Sequence, residues 1–420
     1  DSYMYVVLTV LTILFSLFLV ITDWEKRFLL FIISITFLPY GFEITNKLLA
    51  PRILLISFFI SVIIRYKEYY FKYIPCKKYF IIVAISYALT GFFDQRVSLL
   101  GGFSKFLVAF METFGALLLG FASYKGPVRN SKSRIMSCIL ILSLLVSLYS
   151  FLCYVINADP FSISIGDTDS MTDDRQRIAS FFFNSHMAGF AISIYIILLL
   201  YYKQEYKFSF LQNMIIIFMF IALLLTKSRS SLLDLIAGCL ILYGKYIFLS
   251  RNRIKYIILG LCSFLFLYSI IGPLMISSFS DAFQQDGGET GGSNIIMRLQ
   301  QLFFSYELFL RNPVFGNGFN YFWENIKNHD NYLSSMLLGA ESYIFILLIE
   351  RGAIQIVTIF IYFVSLFCFL SKKKLPESNL CIALLTAFLV NSILTGNTYK
   401  WIFIMPFIGY YIKQIQINKL

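Results

Sequence analysis

The chain has 420 residues, of which 58% are hydrophobic and 14% charged, and it carries a formal net charge of +12. A soluble domain cannot bury so large an apolar fraction, so the composition excludes a soluble globular protein and indicates one folded in lipid. With 2 histidines in the chain, a zinc site built on a histidine cluster is also excluded.

Apolar runs long enough to approach or cross a hydrocarbon core recur along the chain. They predict an all-α, polytopic integral membrane bundle with about 13 transmembrane helices, within a range of 12 to 14. The first run lacks a basic segment before it and a small-residue cleavage site, which favours a retained helix over a signal peptide. The runs cover 4–21, 28–42, 53–64, 80–92, 106–122, 135–156, 181–202, 210–225, 232–248, 256–276, 343–370, 380–394 and 402–412.

Basic residues are unevenly divided between the loops at the two ends of these helices. One set of loops holds 21 Lys and Arg in 64 residues, and the opposite set of short segments holds 9 in 63. The positive-inside rule makes the first set cytoplasmic, which places 157–180 and the long loop 277–342 on the outer face. Inner-face anchoring then accounts for most of the net charge, and no nucleic-acid partner is needed to explain it.

The two larger outer loops divide the chain into five segments. These are the N-terminal helices 1–156, the loop 157–180, the central helices 181–276, the loop 277–342, and the C-terminal helices with a cytoplasmic tail, 343–420. All seven cysteines fall in helices or cytoplasmic loops, so neither a disulfide framework nor a cysteine metal site is expected. The longer loop contains an apolar stripe that fits one face of a helix on the membrane surface, formed by Ile295, Ile296, Leu299, Leu302, Phe303, Tyr306 and Phe309.

Three arginines on the predicted outer face are the candidates for an anion site. Guanidinium stays charged and offers a planar fork of donors that suits phosphate oxygens, while hydroxyls and a helix N-terminus add neutral donors. The alternative for any one of them is interfacial anchoring of its helix. Their occurrence on one face, each beside polar residues, favours phosphate binding. The predicted binding residues are Arg177, Arg229, Arg298, Asn184, His186 and Ser228.

Other polar features are interpreted more conservatively. Asp167-Thr-Asp169 is typical of an exposed acidic loop, and Gly316-Asn-Gly318 of a turn, because each lacks the context of a metal or phosphate motif. Ionisable residues at bilayer depth usually face the bundle interior and pair. Asp234 is predicted to pair with Arg229, and Glu350-Arg351 interrupt the longest apolar run. Glu112 has no obvious partner and is a candidate for lining a substrate groove or a proton path.

Several of these patterns, taken in chain order, resemble the motifs of the O-antigen polymerase and ligase superfamily, polytopic enzymes of bacterial surface polysaccharide assembly. The segment from Arg177 to His186 keeps the spacing of the first motif but departs from it at a Gly, a Pro and a final Asn. Thr226-Lys-Ser-Arg229 matches the second motif. Arg298, followed by Pro313-Val-Phe-Gly-Asn-Gly-Phe319, matches the third.

A fourth motif separates the two branches of that superfamily. Ligases typically carry His-Asn ahead of a Glu-x-Gly run, whereas this chain has Glu341-Ser342 ahead of Glu350-Arg-Gly352. This arrangement resembles the polymerases. His329-Asp-Asn331 could be a displaced ligase motif, but it lies too far from Gly352. The resemblance therefore favours a polymerase, and an O-antigen ligase that attaches polysaccharide to lipid A core is the alternative.

The resemblance implies a GT-C-like glycosyltransferase of the Gram-negative inner membrane, with its active site facing the periplasm. Its substrates would be undecaprenyl-pyrophosphate-linked oligosaccharides held within membrane lipid, with a chain-length co-polymerase and a flippase as partner proteins. It implies no cofactor and no metal, since the arginines supply positive charge for the leaving pyrophosphate. Glu341 is the predicted general base and His329 the second candidate. A flippase for the same lipid is the rival from another class, although no internal repeat is evident.

Overall fold

The fold is known from a computed structural model, which describes most of the chain in twelve stretches. The described residues are 2–22, 24–38, 42–45, 48–64, 74–94, 96–124, 131–161, 177–182, 184–249, 295–327, 342–396 and 400–417.

Within these residues the fold is almost entirely helical, as the composition predicts. The first seven helices are α1 (Ser2–Ile21), α2 (Trp24–Phe37), α3 (Ala50–Ile64), α4 (Lys77–Phe92), α5 (Leu99–Phe110), α6 (Ala116–Ser123) and α7 (Ser131–Ile156). The remaining seven are α8 (Ser185–Glu205), α9 (Phe210–Leu225), α10 (Arg229–Leu249), α11 (Ile295–Arg311), α12 (Tyr343–Ser371), α13 (Pro376–Leu394) and α14 (Lys400–Ile417). Two short antiparallel strands, β1 (Glu43–Thr45) and β2 (Leu48–Leu49), precede α3. Single π turns cover Met111–Gly115, between α5 and α6, and Trp323–Lys327.

The described helices account for twelve of the thirteen predicted apolar runs, and the run at 256–276 lies outside the described residues. Five continuous helical stretches within the described part are long and apolar enough to cross a membrane. They are Leu99–Ser123, Lys132–Ile156, Ser185–Glu205, Tyr343–Ser371 and Pro376–Leu394. The fold class of a polytopic helical membrane protein is therefore confirmed, while the count of thirteen crossings stays a prediction.

Close helix approaches at small residues build the centre of the bundle. Helix α8 is buried along nearly its whole length and packs against α9, α10 and α13. Helix α14 lies against α6, where a Cβ on Gly120 would stand 1.9 Å from the carbonyl oxygen of Pro406. On the other side of the same contact, a Cβ on Gly409 would stand 2.0 Å from the carbonyl oxygen of Leu117. Glycine is required at both positions, since lipid supplies no hydrophobic drive for helix association and packing must come from close contact.

One end of the bundle is tied by a polar cluster that joins four helices. The Nζ atom of Lys132 lies 2.8 Å from Oε1 of Glu205 and 2.8 Å from Oε1 of Glu377. The side-chain amide of Gln414 donates to Glu377 over 3.2 Å. This end gathers residues of the loops predicted to be cytoplasmic. The opposite end gathers the first residues of α8, α10, α12 and α14, which were all assigned to the outer face; the orientation itself stays a prediction.

The predicted helix is present as α11, and the middle of its apolar stripe faces away from the protein; its position on the membrane surface stays a prediction. Leu299, Phe303 and Tyr306 are exposed, whereas the polar residues Gln301 and Ser305 are fully buried. Helix α11 packs against α12. A helix of a soluble protein places its apolar face toward the core and its polar face toward water. Helix α11 has the opposite arrangement, which suits contact with lipid.

Candidate functional site

The segment that leads into α8 is fastened to the end of α9. The backbone N–H of Ile178 donates to the carbonyl oxygen of Leu225 over 3.4 Å, and Ser180 adopts a left-handed conformation with φ of 55°. The Asn184 side chain accepts a hydrogen bond from the N–H of Met187 at 2.9 Å and so caps α8. Asn184 is a predicted anion ligand, and in the structure its side-chain carbonyl oxygen has this capping role.

The turn between α9 and α10 places a group of hydroxyls beside His186. Lys227 adopts the left-handed conformation that reverses the chain, with φ of 50°. The Ser228 hydroxyl lies 2.8 Å from that of Ser231 and 3.5 Å from Nδ1 of His186. Gly189 allows this approach, because a Cβ there would stand 2.6 Å from the Ser231 hydroxyl. The N-terminus of α10 and the first turn of α8 are therefore in direct contact.

Four cations surround the imidazole of His186, which is exposed. Arg177, Lys400, Arg229 and Arg298 all interact with it electrostatically. Burial, and then the charge of Arg177, lower the pKa of the neighbouring Lys227. The three arginines that sequence analysis selected thus come from three separate segments to one end of the bundle. All three act on His186, which lies beside the N-terminus of α10, and the dipole of that helix adds partial positive charge.

Lys400 is the member of this group that sequence analysis missed. It was counted only among the basic residues of the outer loops, because a single lysine at the start of an apolar run is typical of an interfacial anchor. In the structure it is fully buried. Its signal in the sequence was weak, since no polar motif surrounds it.

This arrangement is suited to holding a phosphate or pyrophosphate group. Each guanidinium can donate two parallel hydrogen bonds to phosphate oxygens, and the serine hydroxyls can rotate to donate as well. Among the described residues, no group of three or more His, Cys, Asp and Glu side chains could hold a metal ion. An anion site at this end of the bundle stays a prediction.

A second unit lies where the longest helix breaks. Gly352 interrupts α12 with φ of 66° and ψ of 170°, which frees the carbonyl groups of the preceding turn. The loop 313–322 fills the break: the N–H of Gly318 donates to the carbonyl oxygen of Glu350 over 3.0 Å. The side-chain amide of Asn317 donates to the carbonyl oxygens of Ile349 at 2.7 Å and Leu308 at 2.9 Å. The Pro313–Phe319 part of the third motif and the Glu350-Arg-Gly352 part of the fourth therefore form one structural element.

The glycines of that loop are required by both conformation and space. Gly316 and Gly318 have φ of 81° and 97°, in the left-handed region that favours glycine. A Cβ on Gly316 would stand 2.2 Å from the Glu350 carbonyl oxygen, and one on Gly318 would stand 2.2 Å from Oδ2 of Asp94. The interpretation of Gly316-Asn-Gly318 as a turn holds, but this turn is inserted into the broken helix.

The charged pair at the break faces this loop. Oε1 of Glu350 accepts a hydrogen bond from the N–H of Phe322 at 3.1 Å. The Arg351 guanidinium lies over the ring of Phe319 at 4.1 Å and over that of Tyr87 at 5.4 Å. Arg351 is buried, so these aromatic faces provide contacts for a cation removed from water.

Two sequence expectations about intramembrane charges are corrected. Glu112 does have a partner, because its carboxylate is hydrogen-bonded to Nε of Arg52. The predicted pairing of Asp234 with Arg229 is wrong, since the Asp234 carboxylate accepts a hydrogen bond from the Asn391 amide. Residues five apart on a helix point to different faces, which explains why Arg229 and Asp234 do not meet.

The predicted bases Glu341 and His329 lie outside the described residues, as does Asp167-Thr-Asp169. Ser342, which follows Glu341, is described and caps α12, with its hydroxyl accepting from the N–H of Ile344 at 3.2 Å.

Comparison with known proteins supports the resemblance for the middle of the chain. Residues 214–360 match the family described as O-Antigen ligase. The match includes Arg229, Arg298 and the loop 313–322, and it ends within α12, whereas Arg177 and His186 precede it. No curated protein matches the chain. The match supports the O-antigen polymerase and ligase superfamily and a function of that general type, without separating the two branches.

Proposed function

We propose that the protein is an O-antigen polymerase of the Gram-negative inner membrane, acting at the periplasmic face. Its donor would be a growing polysaccharide on undecaprenyl pyrophosphate, and its acceptor a repeat unit on the same lipid. The observation that carries the proposal is the convergence of Arg177, Arg229 and Arg298 around His186 in a chain that matches the O-Antigen ligase family. The three motifs that contain these arginines would then serve to bind an anion.

The reaction needs positive charge more than it needs covalent catalysis. The acceptor hydroxyl oxygen bonds to the anomeric carbon of the donor sugar as the bond from that carbon to pyrophosphate breaks. The electron pair of the broken bond stays on the pyrophosphate oxygen, and the hydroxyl proton passes to a base. Fixed donors aimed at the developing charge lower the barrier, and removing one such donor typically costs about 100-fold or more in rate.

Glu341 is the proposed base. It directly precedes the cap of α12, and the N–H of the next helical residue, Tyr343, donates to the carbonyl oxygen of Thr395 over 3.2 Å. The same carbonyl oxygen lies 3.5 Å from Nζ of Lys400, beside the cation group. The start of α12 is thus anchored next to the anion site, which supports a base from this segment. His329 is the second candidate.

Reconstitution tests the proposal directly. The purified protein in proteoliposomes, given a defined undecaprenyl-pyrophosphate-linked repeat unit, is expected to produce a ladder of polymers. Arg177→Ala and Arg298→Ala should each lower the rate by about 100-fold or more, while Lys at either position restores it in part because ammonium lacks the planar fork. Arg311→Ala is the matched control, since Arg311 is an exposed residue at the other end of α11.

Other outcomes would identify the rival functions. A single transfer of polysaccharide to added lipid A core, with no ladder, would make the protein an O-antigen ligase. Movement of a fluorescent lipid-linked unit across the bilayer, without lengthening, would make it a flippase. Full activity of both Lys variants would contradict phosphate binding by these arginines, because lysine serves equally well as an interfacial anchor.

A further inference from the structure

Lys400 is held at a position where a lysine is costly. It is the first residue of α14 and is fully buried. Its Nζ atom donates long hydrogen bonds to the carbonyl oxygens of Asn391 at 3.4 Å and Thr395 at 3.5 Å. Those carbonyls belong to the C-terminal end of α13, where the helix dipole favours a cation. Two long bonds compensate only part of the free energy that removing an ammonium from water costs.

A buried carboxylate lies nearby but does not form an ion pair with this lysine. The Asn391 amide donates to the carboxylate of Asp234, and the Thr395 hydroxyl donates to the Asn391 side-chain oxygen over 2.9 Å. Asp234 therefore acts on Lys400 through space, with the Asn391 side chain between them. Among the described residues, Lys400 has no carboxylate within salt-bridge distance. The hydrogen bonds among Asp234, Asn391 and Thr395 therefore position the ammonium, and no described carboxylate is in direct contact with it.

The Lys400 ammonium lies near the group formed by Arg177, Arg229 and Arg298. Its Nζ atom lies over the ring of Phe190 at 5.8 Å. Phe190 is one helical turn after His186 on α8, and Lys400 interacts electrostatically with His186. Lys400 thus lies in the buried interior of the bundle, whereas the three arginines lie in or beside the segments assigned to the outer face.

We propose that Lys400 is a fourth charge-stabilising residue of the anion site, directed by the Asp234–Asn391–Thr395 network toward the pyrophosphate of a polyprenyl donor. This inference rests on the proposed function. Four cations act on this site, and Asp234 is the carboxylate that acts on Lys400. A pyrophosphate diester carries two negative charges, and cleavage of its sugar–oxygen bond adds a third. A further fixed cation such as Lys400 stabilises the charge that develops on the leaving group.

The experiment measures binding of geranylgeranyl pyrophosphate, a short polyprenyl pyrophosphate, to the full-length protein in nanodiscs. Lys400→Gln is expected to weaken binding about tenfold, the loss of one charge-assisted contact. Lys413→Gln is the matched control. Lys413 lies near the opposite end of α14 with its Nζ over the ring of Phe121 at 4.6 Å, so it is also a lysine on an aromatic ring. Its replacement should leave pyrophosphate affinity unchanged.

The double variant Lys400→Gln with Asp234→Asn separates charge stabilisation from a structural role. Lys400→Gln alone leaves a buried carboxylate without its neighbouring cation, which destabilises the fold. Removing both charges should restore thermal stability toward the parent while affinity stays about tenfold low. Recovery of affinity together with stability would overturn the inference, as would parental affinity in Lys400→Gln.

The same measurements distinguish this inference from the proposed function. If Lys400→Gln weakens pyrophosphate binding but the parent forms no polymer, the charge assignment stands and the polymerase proposal fails. If the parent forms a polymer ladder and Lys400→Gln binds and polymerises like the parent, the polymerase proposal stands and the Lys400 assignment fails. A parent that does not bind the probe contradicts the Lys400 assignment, and the polymer ladder alone then decides the polymerase proposal.

Discussion

Replacing Asn317 with alanine removes one side chain that caps two helices. Its amide donates to the carbonyl oxygen of Leu308, in the last turn of α11, at 2.9 Å. It also donates to the carbonyl oxygen of Ile349, just before the break in α12, at 2.7 Å. Alanine can supply neither bond. The carbonyl of Ile349 would keep the long hydrogen bond from the backbone N–H of residue 317, at 3.4 Å.

The loss can be estimated from the burial of the two carbonyl groups. A buried acceptor left without a donor costs about 1–3 kcal/mol. Asn317 is half-buried and water can reach part of this site, so the lower part of that range applies to each bond. The two together predict a destabilisation of about 2–3 kcal/mol, equivalent to a fall of about 2–3 °C in the melting temperature of a protein of 420 residues.

Thermal denaturation in detergent, followed by size-exclusion chromatography, measures this effect. Asn213→Ala is the matched control. The Asn213 amide donates to the carbonyl oxygens of Ser209 at 2.8 Å and Phe208 at 3.4 Å, at the exposed start of α9. Water replaces those bonds, so a change within about 0.5 kcal/mol is expected. Equal melting temperatures for both variants and the parent would refute the account of how the loop 313–322 fills the broken helix.

Three further predictions address orientation, the base and the loop glycines. Single cysteines at Ser164 and Ser293, in a background lacking reactive thiols, should react with an impermeant reagent in intact spheroplasts; protection at either site contradicts the orientation. Glu341→Gln should bind donor but form no polymer, with His329→Ala only impaired; near-parental polymer from Glu341→Gln would shift the assignment to the histidine. Gly318→Ala should lower the melting temperature, because its φ of 97° and the carboxylate 2.2 Å from the added carbon both oppose alanine; an unchanged value would mean that this turn is not tightly docked.

The helices were predictable because each apolar run is an independent signal. A run such as 135–156 must cross or enter lipid whatever its neighbours do, and α7 spans Ser131–Ile156. Helix boundaries were less accurate where polar residues extend a helix. The run at 402–412 begins two residues after Lys400, the first residue of α14. The two short strands before α3 carry too few residues for an alternating pattern to predict them.

The anion site stays a prediction, but the contacts of its neighbouring residues could not be predicted from the sequence. Guanidinium groups on one face suggested an anion, and this chemistry depends little on the packing of helices. The hydrogen-bond partners of the buried charged residues depend instead on how the helices pack. Asp234 contacts Asn391, 157 residues away, and Glu112 contacts Arg52, 60 residues away. No local pattern in a single sequence indicates which of several helices will supply such a partner.

The break in α12 connects the loop 313–322 to the anion site. On one side of the segment between Tyr343 and Gly352, the loop holds the carbonyl oxygens of Ile349 and Glu350. On the other side, the N–H of Tyr343 shares the carbonyl oxygen of Thr395 with Lys400. A loop that undocks therefore releases the segment that sets the start of α12 beside the cations. If this connection is functional, Asn317→Ala should lose pyrophosphate affinity under conditions where it remains folded; parental affinity would limit the loop to a stabilising role.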